Sequence, residues 1–269
     1  MKITIPTKIK AITKLFYLFL SIITIIVFWT FIAFFILDKS NENNDCNVAN
    51  IKLHDSLYTY VKESDECYDC ASSEDIVNQI KDAEADDSIK AIILNIDSSG
   101  GWPVAAQEIA DALKSAKKPS VAWIRDTGAS AAYFAATGAD RIFASELSDV
   151  GSIGVTMSYL DNSKKNQKDG LTFNSLSIGA YKDTGNPDKI LTKEERDLLM
   201  SDLQKSYDIF VANVAENRNL SIEKVRELSD GNTMKGREAL DVGLIDQLGG
   251  LFDIEKYLKD RIGDVVLCR

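Results

Sequence analysis

Three turns rich in glycine and serine each follow an apolar run, and they hold the residue types from which hydrolytic chemistry is built: Asp97–Gly101, Thr127–Ala132 and Asp149–Gly154. The first reads as strand, Ser-Ser-Gly-Gly, helix. Gly100 and Gly101 let backbone approach a ligand closely, and a following helix start aims its free N–H groups there, the make-up of an oxyanion or phosphate site. A Gly-Gly pair before a helix is more often a plain turn. In the second, Gly128-Ala129-Ser130-Ala131-Ala132-Tyr133 sets Ser130 among small residues that leave room for a substrate backbone. The plainer reading is a serine packed in an alanine-rich buried helix.

A serine nucleophile needs a base. The only histidine is His54, early in the chain and ahead of the core strands, so a Ser-His-Asp triad hangs on one poorly placed candidate. Lysine can serve instead where burial disfavours its ammonium form. Lys182 is the candidate, just after the apolar stretch of Phe173 to Ile178. An exposed loop lysine paired with Asp183 accounts for the same residues, and the sequence pattern leaves both readings open. Cys67 and Cys70 have the C-x-x-C spacing of a redox pair, half a zinc site or a tight disulfide. A zinc site would have to recruit Cys46, Cys268 or His54, and no spacing suggests it, so no metal or cofactor is expected.

Strands alternating with helices must position these turns. A short strand is expected at Ile51–Leu53, and a helix capped by Ser73 runs to about Ala83. Ala91 to Ile96 is an apolar run of the kind buried on both faces of a sheet. A helix follows from Pro103 to about Ser115, then a strand at Val121–Ile124, a helix over Gly128–Thr137, and strands at Arg141–Ala144, Ile153–Ser158 and Phe173–Ile178. Thr192 and Glu195 form a capping box for a long helix reaching toward Asn217, and shorter helices follow near Ile222–Leu228 and Gly236–Leu240. The class is α/β.

Composition removes some functions. The formal charge is −10, and the first 37 residues contribute four lysines and no acid, so the remaining residues carry −14. An acidic body with no basic stripe argues against nucleic acid as a partner. Residues 15–37 are free of charged side chains and, as a helix, span about 34 Å, enough to cross a bilayer. Lys2, Lys8, Lys10 and Lys14 precede the run, which predicts a cytoplasmic segment 1–14, a single-pass anchor 15–37 in the inner (plasma) membrane, and an extracytoplasmic, periplasmic body. A cleaved signal peptide fits less well, because the run is long and no small-x-small site comes after it. Residues 38–50 read as a polar tether and 51–269 as the body.

The segments ILNIDSSGG, GASAAYFAATGADRIFA, VGSIGV, GAYKDTG and GREALDVGLIDQLGG resemble those of the signal peptide peptidase A family in order and spacing, over about Lys90 to Gly250. The resemblance implies a crotonase/Clp-like fold of stacked ββα units and a serine peptidase with a Ser–Lys dyad. By that resemblance Ser130 is the nucleophile, Lys182 the base and Ser152 the support of the lysine amine. Gly100 or Gly101, with Ala131, supplies oxyanion donors. It further implies a homo-oligomeric ring that joins serine and lysine from neighbouring protomers, and peptide substrates such as signal-peptide remnants. Two positions depart from the family pattern: Ser99 stands where proline is frequent, and Ala131-Ala132 where Gly-Gly is common. Neither removes a catalytic atom. A crotonase-like acyl-CoA enzyme and an inactive membrane scaffold are the rival expectations.

Overall fold

The computed structural model describes residues 19–32, 46–61 and 70–268, in two units, 1–45 and 46–269. Residues 19–32 form helix α1, whose apolar side chains, Phe28 and Trp29 among them, are exposed. Thr24 and Thr30 donate their hydroxyls to carbonyls three residues back, Ser21 O and Val27 O, so neither leaves an unpaired polar group on the apolar surface. Among the described residues no helix is long and apolar enough to cross a membrane. The ends of the expected anchor 15–37, the basic segment 1–14 and most of the expected tether lie outside the described residues.

The second unit begins with β1 (Val48–Tyr58), β2 (Ala71–Ser72) and α2 (Ser73–Ala85). It continues through β3 (Ala91–Gly101), α3 (Pro103–Ser115), β4 (Ser120–Ala129), α4 (Ala131–Ala136), β5 (Arg141–Ala144) and β6 (Asp149–Gly151). Then come α5 (Ser163–Lys168), α6 (Lys193–Arg218), α7 (Ile222–Glu227), β7 (Thr233–Lys235), α8 (Gly236–Asp241), β8 (Gln247–Leu248) and α9 (Leu251–Ile262). The sheet runs in the order β2-β1-β3-β4-β5-β8 with parallel neighbours, while β6 pairs parallel with β4 and antiparallel with β7.

Alternation along β3 explains why its sequence is apolar throughout. Ile92, Leu94 and Ile96 pack with α2, α3 and α4 on one face, and Ala91 and Ile93 pack with Ile254 and Leu258 of α9 on the other. Successive residues of a strand point to opposite faces, so a strand covered by helices on both needs no polar side. The long helix α6 starts as expected, with both hydrogen bonds of the Thr192/Glu195 capping box in place.

Several expectations are corrected. β1 starts at Val48 and is far longer than Ile51–Leu53, because it pairs with β3 along most of its length. Ser72, not Ser73, caps α2; Ser73 is buried and donates its hydroxyl to Glu108. Ile153–Ser158 forms no strand. The strand there is Asp149–Gly151, and positive φ at Gly151 (95°) and Ser152 (50°) turns the chain out of the sheet. Phe173–Ile178 forms none either, and Leu176 and Ile178 are fully exposed.

A disulfide joins Cys46 to Cys268, 222 residues apart, where Cys268 N donates to Val48 O at 2.9 Å. Cys70 is disulfide-bonded as well. No group of three metal-ligating side chains occurs among the described residues. Because the Cys46–Cys268 link closes a loop of nearly the whole unit, it restricts the unfolded chain strongly. Replacing both cysteines with alanine is expected to lower unfolding free energy by about 3–5 kcal/mol, read from the urea midpoint.

Candidate active site

Ser130 sits in the one-residue turn between β4 and α4, at φ 52° and ψ −124°. A non-glycine residue is seldom found there, and such strain persists only where the surroundings enforce it. Here Ser130 N donates to Gly151 O at 2.7 Å on β6, and Ser130 O accepts from Phe134 N at 2.9 Å, starting the helix. Every residue of α4 is buried, whereas Ser130 is only half-buried, so the turn lifts its side chain out of the packed helix. The buried-helix reading thus fits the alanines after Ser130 and not Ser130 itself. Tyr133, in the same helix, is no base: burial pushes its phenol up, and its hydroxyl donates to Leu244 O at 2.8 Å.

The glycine turn packs directly on Ser130. A methyl group at position 100 would lie 2.9 Å from Ala129 O, Ala131 N and Ser130 Cβ, at a φ of 111° that disfavours any side chain. Gly101 is equally confined, since a methyl there would meet Leu57 O at 2.1 Å. Gly100→Ala is therefore expected to destabilise the protein by about 1–3 kcal/mol and to displace the serine turn, so that peptidase activity falls further than the folded fraction does. Thermal unfolding alongside activity per folded molecule checks it.

Of the donors expected at this turn, Gly100 N is already committed: it bonds to Ser98 Oγ at 3.1 Å. Trp102 N donates to Leu57 O at 2.8 Å. Gly101 N is the amide between them that neither bond engages. Ala131 N opens α4, where an amide has no acceptor within the helix.

Ser152 follows Gly151, whose carbonyl holds Ser130 N, so the fold sets it next to the serine turn. Its hydroxyl donates to Gly231 O at 2.8 Å and its amide to Asn232 O at 2.9 Å. Lys182 is elsewhere in character. It lies on an exposed turn, its amide bonded to Gly179 O at 3.2 Å, and its side chain makes no hydrogen bond or ion pair among the described residues. Asp183 does not pair with it. The Asn186 amide, the Ser175 hydroxyl and the charge of Lys189 hold the Asp183 carboxyl below its ordinary range. Lys189 in turn bonds Glu195 at 2.5 Å, and that bond, followed by the Thr192 amide, lowers the Glu195 carboxyl too. The Lys182 turn is thereby tied to the start of α6 rather than to the site.

His54 is closer to the site in space than its place in the chain suggested. β1 carries it into register with Asp97, and its Nε2 is buried without a partner among the described residues. It still stands two strands from β4, roughly 10 Å at ordinary strand spacing, which is beyond hydrogen-bond reach of Ser130. Two further residues that no sequence motif singles out shape the site. Gly151 anchors Ser130, and Ser98 holds Gly100; the signal for Ser98 was a hydroxyl two residues before a glycine pair.

The family model of peptidase family S49 matches residues 112–263, which include Ser130, Ser152 and Lys182. The chain belongs to peptidase family S49. A second model, Clp protease, matches residues 60–148, around the glycine turn and Ser130. A protease-named protein of Methanocaldococcus jannaschii is 33% identical over 83% of this chain and 75% of its own length. The chloroplastic serine protease SPPA of Arabidopsis thaliana is 31% identical over 66% of this chain, a match spanning only 27% of that relative. Among solved structures, a mutant of the 1510-N membrane-bound stomatin-specific protease superposes with a TM-score of 0.56 at 15% identity, over 83% of this chain and 98% of that one. The α/β fold with its parallel sheet is thus Clp-like, and this S49 member is a serine peptidase.

Proposed function

We propose that this S49 peptidase is a membrane-anchored serine endopeptidase in which Ser130 is the nucleophile and Lys182 of an adjacent protomer the general base. The observation that carries this reading is the strained, half-exposed Ser130 turn packed against Gly100. Lys182 Nζ takes the proton of Ser130 Oγ as the oxygen attacks the peptide carbonyl carbon, and Gly101 N–H and Ala131 N–H hold the oxyanion. The lysine ammonium then returns that proton to the departing amine, and water releases the acyl group. Ser152 donates its hydroxyl to Gly231 O, which leaves its lone pairs free to accept from the lysine ammonium.

Support for a second protomer comes from the segment that bears Lys182. Leu160, Leu171, Leu176, Ile178 and Ile190 are all more than 60% exposed there, an apolar surface unusual for a solitary chain. Burying it against a neighbour would also remove water from the lysine and favour its neutral form. A homo-oligomeric ring, residues 15–37 as a single-pass anchor, an extracytoplasmic body and unfolded peptides such as signal-peptide remnants complete the reading. The Cys46–Cys268 disulfide agrees with an oxidising, extracytoplasmic setting. The family match leaves an acyl-CoA enzyme without support. Mass spectrometry after treatment with a serine-directed fluorophosphonate tests the rest: a single adduct on Ser130 is expected, and an unlabelled Ser130 in assembled, membrane-inserted protein would return the inactive scaffold.

A further inference from the structure

The ladder between β1 and β3 breaks where the glycine turn begins. His54 pairs with Asp97 and Ser56 with Gly100, so β1 advances two residues while β3 advances three. Such a bulge interrupts the backbone bonds of the ladder. It leaves Asp55, at φ 55°, without a partner across the ladder, which resumes at Gly100. Ser98 is 2% exposed, and its hydroxyl lies between them, donating to Asp55 O and accepting from Gly100 N. A hydroxyl is the smallest side-chain group able to do both at once.

We propose that Ser98 is a positioning residue for peptide hydrolysis, its hydroxyl bridging the bulge so that the Gly101 N–H is held at the oxyanion beside Ser130. The proposal rests on the peptidase reading above. The turn has three consecutive amides. Ser98 takes that of Gly100 and Leu57 takes that of Trp102, so the peptide plane of Gly101 is fixed from both sides. Glycines at 100 and 101 have wide intrinsic backbone freedom, and the hydroxyl adds to the pairing with Ser56 and Leu57 that restrains them. An oxyanion donor acts through its prior alignment, and loss of one such donor typically costs about 10²–10³ in rate. Misalignment should cost somewhat less.

Ser98→Ala and Ser98→Cys, made in the full-length membrane protein, provide the test. The readouts are the rate of fluorophosphonate adduct formation on Ser130 per folded molecule, and kcat and KM for an unstructured reporter peptide. Ser98→Ala is expected to slow labelling and kcat by about 10- to 100-fold with KM within about threefold of wild type. Ser98→Cys, which keeps the shape with a weak hydrogen-bonding group, should fall between the two. Should Ser98→Ala fold poorly, the cysteine variant carries the comparison alone. Labelling at the wild-type rate in either variant, or losses that track only KM or the folded fraction, would overturn the role of Ser98 and leave the peptidase reading intact. A wild-type protein that takes no label at Ser130 removes both.

Discussion

Ser130→Ala and Lys182→Ala should each lower peptide hydrolysis by at least about a thousandfold without unfolding the protein, whereas His54→Ala should retain activity within a fewfold of wild type. The serine sits in a strained, half-buried turn packed against Gly100. His54 stands two strands away, in register with Asp97. A loss in His54→Ala as deep as that in Ser130→Ala would end the Ser–Lys reading and revive a triad. A companion variant separates chemistry from strain. Ser130→Gly should be equally inactive yet more stable by about 1 kcal/mol, because glycine adopts φ 52° without the clash a side chain brings. Hydrolysis of a reporter peptide and thermal unfolding, measured on the same preparations, distinguish these outcomes.

Mixing the two dead variants should restore activity. If each site takes Ser130 from one protomer and Lys182 from the next, Ser130→Ala and Lys182→Ala chains assembled together create interfaces with both residues intact. At equal mixing at most about one interface in four is productive, so recovery should approach a quarter of wild type from a background near zero. The motive is structural. Lys182 is exposed in the isolated chain and has no side-chain partner among the described residues, on a segment whose apolar residues face outward. Co-expression with two different tags, tandem purification and a peptide assay check it. Mixed oligomers with no recovered activity would show that serine and lysine act within one chain.

How much of this was legible beforehand differs by element. The apolar run of β3 declared a strand covered on both faces, and the Thr192/Glu195 pair declared the start of α6, because each signal is local and the packing reinforces it. Ile153–Ser158 misled, since its alternating pattern suits a strand while the positive φ values just before it lead the chain out of the sheet. Phe173–Ile178 misled for another reason: apolar residues signal burial without saying against what, and none of the described strands pairs with them. His54 is far along the chain from the core turns but not in space, because parallel pairing sets it in register with Asp97.

The sequence by itself determined the α/β class, the residue types of the serine and glycine turns, and the ordered motifs that mark a peptidase of this kind, all of which are properties of short contiguous segments. Only the tertiary structure decided that Gly100 packs on the Ser130 turn, that Gly151 pins it, that Cys46 meets Cys268, and that the Ser98 hydroxyl takes the Gly100 amide while reaching across to Asp55. Most of these contacts join residues far apart in the chain. Their partners are fixed by strand order, register and bulges, and those emerge only when the whole sheet is assembled around its core.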